Sequence, residues 1–207
     1  MPRLELPPTK SSLRRIKEDL SFAYEGFDLL NQKREILVLE IIKRAAELKR
    51  LRTELDAGLA KLYGCYRSAA AAMGADVITM KSQSERPRYF LRVERAKLMG
   101  LSLPQLQLQA KKMIKCSGFA GTTVDYDLAK RQSLAVLPVL AGYGAATKSL
   151  MLLARELKKV QRRVNALEKI FIPHHEEAKK YITERLEEME REEIFVKKLI
   201  RQKLSAF

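Results

Sequence analysis

Three stretches of the sequence carry residue types that could bind a nucleotide, a metal ion or nucleic acid. The first, Gly142 to Ser149, reads GYGAATKS and is one residue away from the phosphate-binding pattern GxxxxGK[ST]. That pattern needs a strand that feeds a glycine-cornered loop whose amides face the phosphates. Here Thr147 replaces the required glycine, and Pro138 interrupts the apolar run that would form the strand. We therefore predict a helical turn rather than a nucleotide site.

The second stretch, His174-His175-Glu176-Glu177, could offer nitrogen and oxygen ligands to a metal ion. His174 and Glu177 would share one face of a helix, but adjacent helical residues such as His174 and His175 point about 100° apart. No third ligand group stands nearby in the sequence, and a metal site needs three or four. We predict a structural role for this stretch and no metal or cofactor site.

The third stretch, Arg86 to Arg95, mixes basic residues with Tyr89 and Phe90, a combination that can bind single-stranded nucleic acid. A solvated or protein-docking hairpin explains the same residues equally well. Nowhere does the sequence group a nucleophile, a base and an orienting residue, so we predict a non-catalytic chain with no catalytic residues.

Composition favours long helices and a polyanionic or acidic partner. Of 207 residues, 31% are charged and only 9 are Gly and 7 Pro, and the 40 Lys and Arg exceed the 25 Asp and Glu to give a net charge of +15. Such a charge attracts nucleic acid, anionic membranes or acidic protein surfaces. Cys65 and Cys116 lack CxxC spacing and no signal peptide precedes them, so we predict a reduced, cytoplasmic protein. The longest uncharged run, residues 132–147, is 16 residues long, short of the roughly 20 that span a bilayer.

The elements that must position these residues are two long helices with a seven-residue apolar repeat. In the C-terminal half, 13 of 14 a and d positions are apolar: Val136, Val139, Tyr143, Ala146, Leu150, Leu153, Leu157, Val160, Val164, Leu167, Phe171, His174, Ala178 and Tyr181. In the N-terminal half, 13 of 16 are apolar: Leu13, Ile16, Leu20, Ala23, Phe27, Leu30, Arg34, Leu37, Ile41, Arg44, Leu48, Leu51, Leu55, Gly58, Leu62 and Cys65. We call these two sets the seam, and such a repeat predicts a left-handed coiled coil.

The two helices could pair with copies of themselves in a dimer, but the roughly 70 residues between them suffice for a turnaround, and we favour pairing within one chain. The predicted fold is mainly α: a long antiparallel two-helix coiled coil formed by the N- and C-terminal helices, with a small middle region that contains a short β-hairpin. We expect one elongated domain over residues 1–207, with helices at 11–80 and 123–204 and a middle region at 81–122.

Within this plan, alternating apolar residues predict half-buried strands for a hairpin at about residues 88–109, with Lys97 to Gly100 at its turn. Ser82 to Pro87 is predicted as a polar loop. Pro138 and Pro173 should kink the second helix without ending it, because the heptads run through both. Beyond Tyr181 the apolar repeat slips to Ile182, Leu186, Met189, Val196 and Ile200. This is a four-residue stutter, which predicts local unwinding of the supercoil near the C-terminal tip.

Both ends of the chain resemble the D subunit of the V-type and archaeal A-type ATPases, the central-stalk component of a rotary motor. The resemblance rests on PTKSSLRRIKEDLSFAYEGFDLLNQKREIL at Pro8 to Leu37 and on RRVNALEKIFIPHHEEAKKYITERLEEMEREEIFVKKLI at Arg162 to Ile200. The LPVL at Leu137 to Leu140 and the turn at Met99-Gly100 also look like the family's. Ala178 and Ile194 depart from it, where the family often has threonine and phenylalanine.

The resemblance implies a rotor shaft that couples ATP hydrolysis or synthesis to ion translocation and binds no nucleotide itself. Its implied partners are the alternating catalytic hexamer of A and B subunits, the F subunit, and the membrane-side funnel subunit (C/d), in a cytoplasmic, peripheral membrane complex. Six residues are candidates for contact with the hexamer or for a clasp between the helices: Lys33, Arg34, Arg162, Arg163, Asn165 and Glu168. The alternative is a free basic coiled-coil adaptor that binds nucleic acid or an anionic membrane surface.

Overall fold

The computed structural model describes residues 7–84, 89–110 and 121–204. Its elements are, in chain order, α1 (Lys10–Met73), α2 (Ala75–Ser84), β1 (Tyr89–Leu98), β2 (Leu101–Ala110), α3 (Val124–Ala166), a π-helix (Leu167–Phe171) and α4 (Ile172–Leu204). The predicted fold class is confirmed: long N- and C-terminal helices pair, and a two-stranded antiparallel sheet lies between them in the sequence.

Helix α1 is closed at both ends by local signals in the sequence. The backbone N–H of Ser12 donates to Thr9 Oγ1 at 3.1 Å, which is the bond of an N-cap hydroxyl. At the other end Gly74 has φ +82°, a left-handed conformation that favours glycine and ends helices. The predicted helix over residues 11–80 is therefore interrupted, because α2 begins anew at Ala75. Helix α2 then runs through Ser82 and on to Ser84, where we predicted a loop, and residues 85–88 lie outside the described residues.

The predicted hairpin is confirmed, with its turn at Met99-Gly100. Leu98 pairs with Leu101, so the loop has two residues, and both have positive φ, 50° at Met99 and 80° at Gly100. Two positive φ angles define a type I′ turn, whose twist matches that of antiparallel strands. The prediction of half-buried strands holds for β2, where Leu106 and Leu108 are half-buried, but it is wrong for β1, which is exposed from Tyr89 to Arg95.

Helix α3 begins at Val124 with Asp125 and Asp127 in its first turn, where carboxylates suit the positive end of the helix dipole. It continues through Pro138 without ending. Before Pro173 the helix instead opens into the π-helix, in which the N–H of Ile172 donates to the carbonyl of Leu167, five residues back. A π-helical turn gives up hydrogen bonds of the regular α-helical pattern. Because Pro173 has no N–H to donate, one of these bonds could not form here in any case.

The π-helix moves the buried face of the second helix by one residue. All 16 N-terminal seam residues and the C-terminal ones from Val136 to Leu167 are buried or half-buried, as predicted. Beyond that point the predicted seam residues His174 and Ala178 are half-buried, but Phe171 and Tyr181 are exposed. Their neighbours Ile172 and Ile182 are buried instead, at 8% and 1% exposure. The shift therefore occurs at residues 167–171, ahead of Tyr181 where we predicted it.

Contacts group the chain into two compact units, each of which combines part of α1 with part of the second helical region. Unit 1 comprises Met1–Ile36 and Leu157–Phe207, and unit 2 comprises Leu37–Glu156. That all 207 residues form one elongated domain, with kinks at the two prolines, stays a prediction.

Unit 1 is an antiparallel pair of helices within one chain. Its buried residues come from α1 (Ile16, Leu20, Ala23) and from the C-terminal segments (Val160, Val164, Ile172, Ile182). Lys10 contacts Glu190 and Tyr24 contacts Glu176, so a step of 14 residues along α1 is matched by a step of 14 back along α4. Fourteen residues are two heptads, which is the antiparallel register of a coiled coil.

Unit 2 contains the middle of the chain and packs its helices closely. A methyl group built on Gly58 of α1 would lie 2.9 Å from Val136 Cγ2 of α3, so the two helices approach each other where α1 has no side chain. Ala69, Ile78 and Tyr126 form a buried cluster that joins α1, α2 and α3. Cys65 is half-buried and free, and Cys116 lies outside the described residues.

The continuous helical stretch Val124–Gln202 contains the one segment, in the part of the chain that the structure describes, that is long and apolar enough to cross a membrane. That criterion uses length and composition alone, and 17% of the segment is buried inside the chain. Core helices of proteins outside membranes meet the same criterion, so this property alone does not make the stretch a membrane span.

Candidate partner-contact surface

The six candidate contact residues all lie in unit 1, on two helices. Lys33 and Arg34 are half-buried on α1. Arg162, Arg163 and Asn165 are exposed near the end of α3, and Glu168 is exposed in the π-helix. Arg34 occupies a seam position and is half-buried there, as expected for an arginine that lays its aliphatic stem along the interface and keeps its charge in water.

The exposed members of this group make few contacts of their own. Asn165 Oδ1 accepts a hydrogen bond from Gln161 Nε2 at 2.9 Å, one turn earlier on the same helix, so this side chain is held along α3. Among the described residues, neither Arg162 nor Arg163 takes part in an ion pair. Both guanidinium groups are therefore available to carboxylates on another molecule, which arginine binds with two parallel hydrogen bonds.

The cations of α4 differ, because they pair with carboxylates of their own helix. Arg185 lies 2.7 Å from Glu188, Arg191 lies 3.3 Å from Glu187, and Lys197 lies 3.1 Å from Glu193. These pairs stand three or four residues apart, where helical side chains are neighbours. Alternating charges at these spacings are typical of a solvated, salt-bridged helix face.

Lys10 and Tyr24 of α1 make polar contacts with α4, and neither contact was predicted from the sequence. Lys10 Nζ lies 2.8 Å from Glu190 Oε1, and the hydrogen bond between them raises the pKa of Lys10 and lowers the pKa of Glu190. Tyr24 donates to Glu176 Oε1 at 2.5 Å, which raises the pKa of Tyr24 above its ordinary value of 10.0. One feature of the sequence could have indicated these contacts. Lys10 and Tyr24 are 14 residues apart on α1, and their partners Glu176 and Glu190 are also 14 residues apart on α4.

The stretch Gly142 to Ser149 is helical, as predicted, and forms no phosphate-binding loop because all of it belongs to α3. Thr147 Oγ1 donates to the carbonyl of Tyr143 at 2.8 Å, within the same helix. Ser149 is fully buried and donates to the carbonyl of Pro104 in β2 at 3.3 Å.

One of the two histidines, His175, packs against the π-helix. The ring of His175 stacks on Phe171 with 3.9 Å between ring centroids, and its Nδ1 lies 2.9 Å from the carbonyl oxygen of Phe171. His174 meets His175 edge to face. No group of three or more His, Cys, Asp or Glu residues that could hold a metal ion occurs over the residues that the structure describes.

The basic and aromatic stretch of the hairpin is exposed where it is described. Phe90 is 69% exposed, and Arg92 and Arg95 are exposed on β1. Glu94 accepts a hydrogen bond from Gln107 across the sheet at 3.1 Å. Arg86 and Arg88 lie outside the described residues.

Large apolar side chains are exposed at the C-terminal end of α4, in unit 1. Ile194, Phe195 and Val196 are 54%, 63% and 50% exposed, and Leu199 and Ile200 are 42% and 52% exposed. Exposed apolar residues gathered at one end of a helix are typical of surfaces that meet other proteins. The antiparallel register places this end beside the start of α1, as the contact of Lys10 with Glu190 records.

The described chain is thus a helical protein with paired helices, exposed arginines without ion-pair partners in the described chain, and an exposed apolar helix end. Comparison with known proteins agrees. The family model for the D subunit of ATP synthase matches residues 12–202. The chain belongs to this ATP synthase D subunit family.

Individual relatives cover almost the whole chain. It is 29% identical to the V-type ATP synthase D subunit of Thermotoga neapolitana, over 98% of this chain and 100% of the relative. It is 30% identical to the A-type ATP synthase D subunit of Pyrococcus horikoshii, over 98% and 96% of the two chains. It is 32% identical to the A-type ATP synthase D subunit of Methanobrevibacter smithii, over 94% of this chain and 85% of the relative. The resemblance inferred from the two ends of the sequence is therefore confirmed.

Proposed function

We propose that this chain is the central-stalk rotor shaft of a V/A-type rotary ATPase. In this role it couples ATP hydrolysis or synthesis in the catalytic hexamer to ion translocation through the membrane ring, and it is itself non-catalytic. The observation that carries the proposal is membership of the ATP synthase D subunit family along almost the whole chain, residues 12–202.

The paired helices of unit 1 support a mechanical role. A shaft must resist twisting, and two helices that bury a common seam resist it better than one helix does. It must also present different faces to equivalent catalytic sites. The two helices of unit 1 differ in sequence and in local geometry, since α1 is regular through Ile36 whereas the partner carries a π-helix, so they offer that asymmetry.

The proposed partners are the alternating hexamer of A and B subunits, the F subunit, and the membrane-side funnel subunit (C/d). We place the end of unit 1 that holds the start of α1 and the end of α4 in the bore of the hexamer. The exposed apolar residues from Ile194 to Ile200 suit burial against such a lining. The chain then lies on the cytoplasmic side as a peripheral part of a membrane complex.

The six candidate contact residues fall into two groups in this proposal. Arg162 and Arg163 reach outward to carboxylates of the hexamer, because both are exposed and neither has an ion-pair partner among the described residues. Glu168 lies on the same outward surface, and Asn165 is held there by Gln161. Lys33 and Arg34 lie half-buried on α1 and contribute to the clasp between the helices.

Reconstitution tests the coupling role. Complexes assembled in vesicles with this chain should pump ions when ATP is added. Complexes that lack it should hydrolyse ATP without pumping, because the hexamer and the membrane ring are then unconnected. ATP-driven pumping that continues without the chain would refute the proposal. Steeply salt-dependent binding of the isolated chain to DNA or anionic vesicles, with no effect on pumping, would support the basic adaptor instead.

A double charge reversal tests the contact residues. Arg162→Glu with Arg163→Glu should weaken assembly with the hexamer or lower the number of ions moved per ATP. The matched control is Lys49→Glu with Arg50→Glu, which changes the net charge equally at two adjacent exposed positions of α1 in unit 2. Equal effects of the two double variants would point to net charge rather than to a contact at the end of α3.

A further inference from the structure

The hydroxyl of Ser149 makes a hydrogen bond that differs from the bonds of most helical serines and threonines in the described chain. In α1, α2, α3 and α4, hydroxyls such as those of Thr53, Ser133 and Thr147 donate to a carbonyl three or four residues earlier in their own helix. Ser149 instead donates to Pro104, 45 residues earlier in the sequence, at 3.3 Å. It is also the one buried polar residue among those that the structure describes, at 0% exposure.

The carbonyl of Pro104 is free to accept this bond because of its place in the hairpin. Leu98 and Leu101 close the two-residue turn and form the first hydrogen-bonded pair, so Lys97 with Ser102 is non-hydrogen-bonded and the next pair is hydrogen-bonded again. Arg95 with Pro104 is then a non-hydrogen-bonded pair, whose N and C=O groups point away from the partner strand. Proline costs the sheet no hydrogen bond at such a position, and its carbonyl faces the open edge of β2.

The neighbour of Pro104 is the anchor of the hairpin. Leu103 is 1% exposed, whereas no residue of β1 is buried. Two strands alone cannot enclose a leucine, so Leu103 is buried by residues outside the hairpin, and its neighbour Pro104 contacts Ser149 of α3. A two-stranded hairpin is marginally stable by itself. Its order therefore depends on the contacts made at Leu103 and Pro104.

Helix α3 has a second buried face beside the seam, and Ser149 on this face contacts the hairpin. Ala145 and Ser149 stand one turn apart and are buried at 9% and 0% exposure, yet neither is a seam position. The seam passes through Ala146 and Leu150, which are half-buried beside them. Helix α3 thus buries more of its circumference here than pairing with α1 requires.

We propose that Ser149 and Leu103 form a clamp that holds the β-hairpin on α3 as a docked arm. The clamp fixes which face of the hairpin points outward. Leu103 lies on the inward face, and the opposite face carries the cross-strand pairs Leu91 with Leu108 and Val93 with Leu106. Leu91 and Val93 are 50% and 58% exposed, so the clamp presents an apolar surface on the outer side of the hairpin. This inference concerns unit 2 alone and stands independently of the rotor proposal.

Hydrogen exchange of the full-length chain tests the clamp. Ser149→Ala removes the hydroxyl with little change of volume and keeps a good helix former in α3. Opening of the hairpin should become easier, so that amides of β1 and β2 exchange about two to ten times faster, the range expected for one lost hydrogen bond. Amides of α3 should exchange as before.

Two further variants complete the test. Ser133→Ala is the matched control, because the hydroxyl of Ser133 bonds to its own helix at Lys130, and it should leave exchange of the hairpin unchanged. Leu103→Ala should accelerate exchange of the hairpin at least about thirtyfold, since a buried leucine is truncated. Unchanged hairpin exchange in both Ser149→Ala and Leu103→Ala would overturn the proposal, as would equal acceleration by Ser133→Ala.

Discussion

The second helical region behaves differently on the two sides of the π-helix. Before it, Val160 and Val164 are predicted seam residues and each is 1% exposed. After it, the predicted seam residue Tyr181 is 46% exposed, and its neighbour Ile182 is buried at 1% in its place. One additional residue in the turn at Leu167–Phe171 accounts for the difference. A continuous repeat in the sequence is thus compatible with a shifted repeat in the structure.

Single-residue deletions should have the largest effect. Deleting Lys158, in regular α3, rotates the residues between this position and the π-helix by about 100° around the helix axis. Val160 and Val164 then leave the interface, which should lower the free energy of unfolding by about 3–6 kcal/mol. Deleting Lys169 instead converts the π-helix into an α-helical turn and leaves both buried faces in place. It should cost at most about 3 kcal/mol, the penalty for Pro173 in a regular helix. Chemical denaturation measures both, and equal losses would contradict the one-residue shift.

Alanine substitutions at adjacent positions test the same comparison with intact backbones. Ile182→Ala removes a buried side chain and should lower the free energy of unfolding by about 2–5 kcal/mol. Tyr181→Ala, at a position that the heptad alone would bury, should cost less than about 1 kcal/mol because the ring is half in water. If urea denaturation showed a larger loss of stability for Tyr181→Ala than for Ile182→Ala, the continuous heptad repeat predicted from the sequence would be correct instead.

The close approach at Gly58 tests the seam within unit 2. Gly58→Ala places a methyl group 2.9 Å from Val136 Cγ2, and overpacking of this kind costs about 1–3 kcal/mol. Gly26→Ala is the control, because nothing lies within 4 Å of a methyl group there. That control should stabilise α1 by up to about 1 kcal/mol through helix propensity. Thermal unfolding that shows stabilisation by both variants would mean that the helices do not meet at Gly58.

The contact of Lys10 with Glu190 should give the smallest effect and a defined pH dependence. The hydrogen bond from Lys10 lowers the pKa of Glu190 below its ordinary value of 4.5. The contribution to stability is therefore present above that value and is lost as the pH falls through the lower pKa of the folded state. Unfolding midpoints of the wild type and Glu190→Gln should differ at neutral pH and converge in acid.

Salt and a neighbouring variant check this assignment. Both side chains are exposed, so about 1 M salt should reduce the difference between wild type and Glu190→Gln. Glu192→Gln, an exposed glutamate on the same helix, should show no such dependence on pH. The same pH profile in both variants would indicate general charge repulsion instead of the contact with Lys10.

Much of the fold follows from the sequence because its signals are local or periodic. The seam of α1 is buried or half-buried at every predicted position, and the glycine of the Met99-Gly100 turn marks the hairpin. Gly74 could have indicated the end of α1, because glycine often ends helices. The alanine-rich run before it instead favoured a continuous helix. The π-helix was harder to predict, because the choice between hydrogen bonds four and five residues back depends on packing on both sides of the turn.

For the candidate surface, the sequence indicated the residues to consider but not their exposure or their contacts. The six residues were placed in one unit by the pairing of the helices, and their exposure separates the outward pair Arg162 and Arg163 from the half-buried pair Lys33 and Arg34. The bond from Ser149 to Pro104 joins residues far apart in the sequence, and no local pattern encodes such a pair.

The π-helix also has a consequence for alignment and for grafting of this helix onto other scaffolds. A designer who copies the segment after Ile172 in register with the segment before Leu167, residue for residue, would turn its apolar face away from the receiving helix. Aligning it with a regular coiled coil requires a one-residue gap within residues 167–171. These five residues set the rotation of the following helix about its axis, so a graft of this helix should include them.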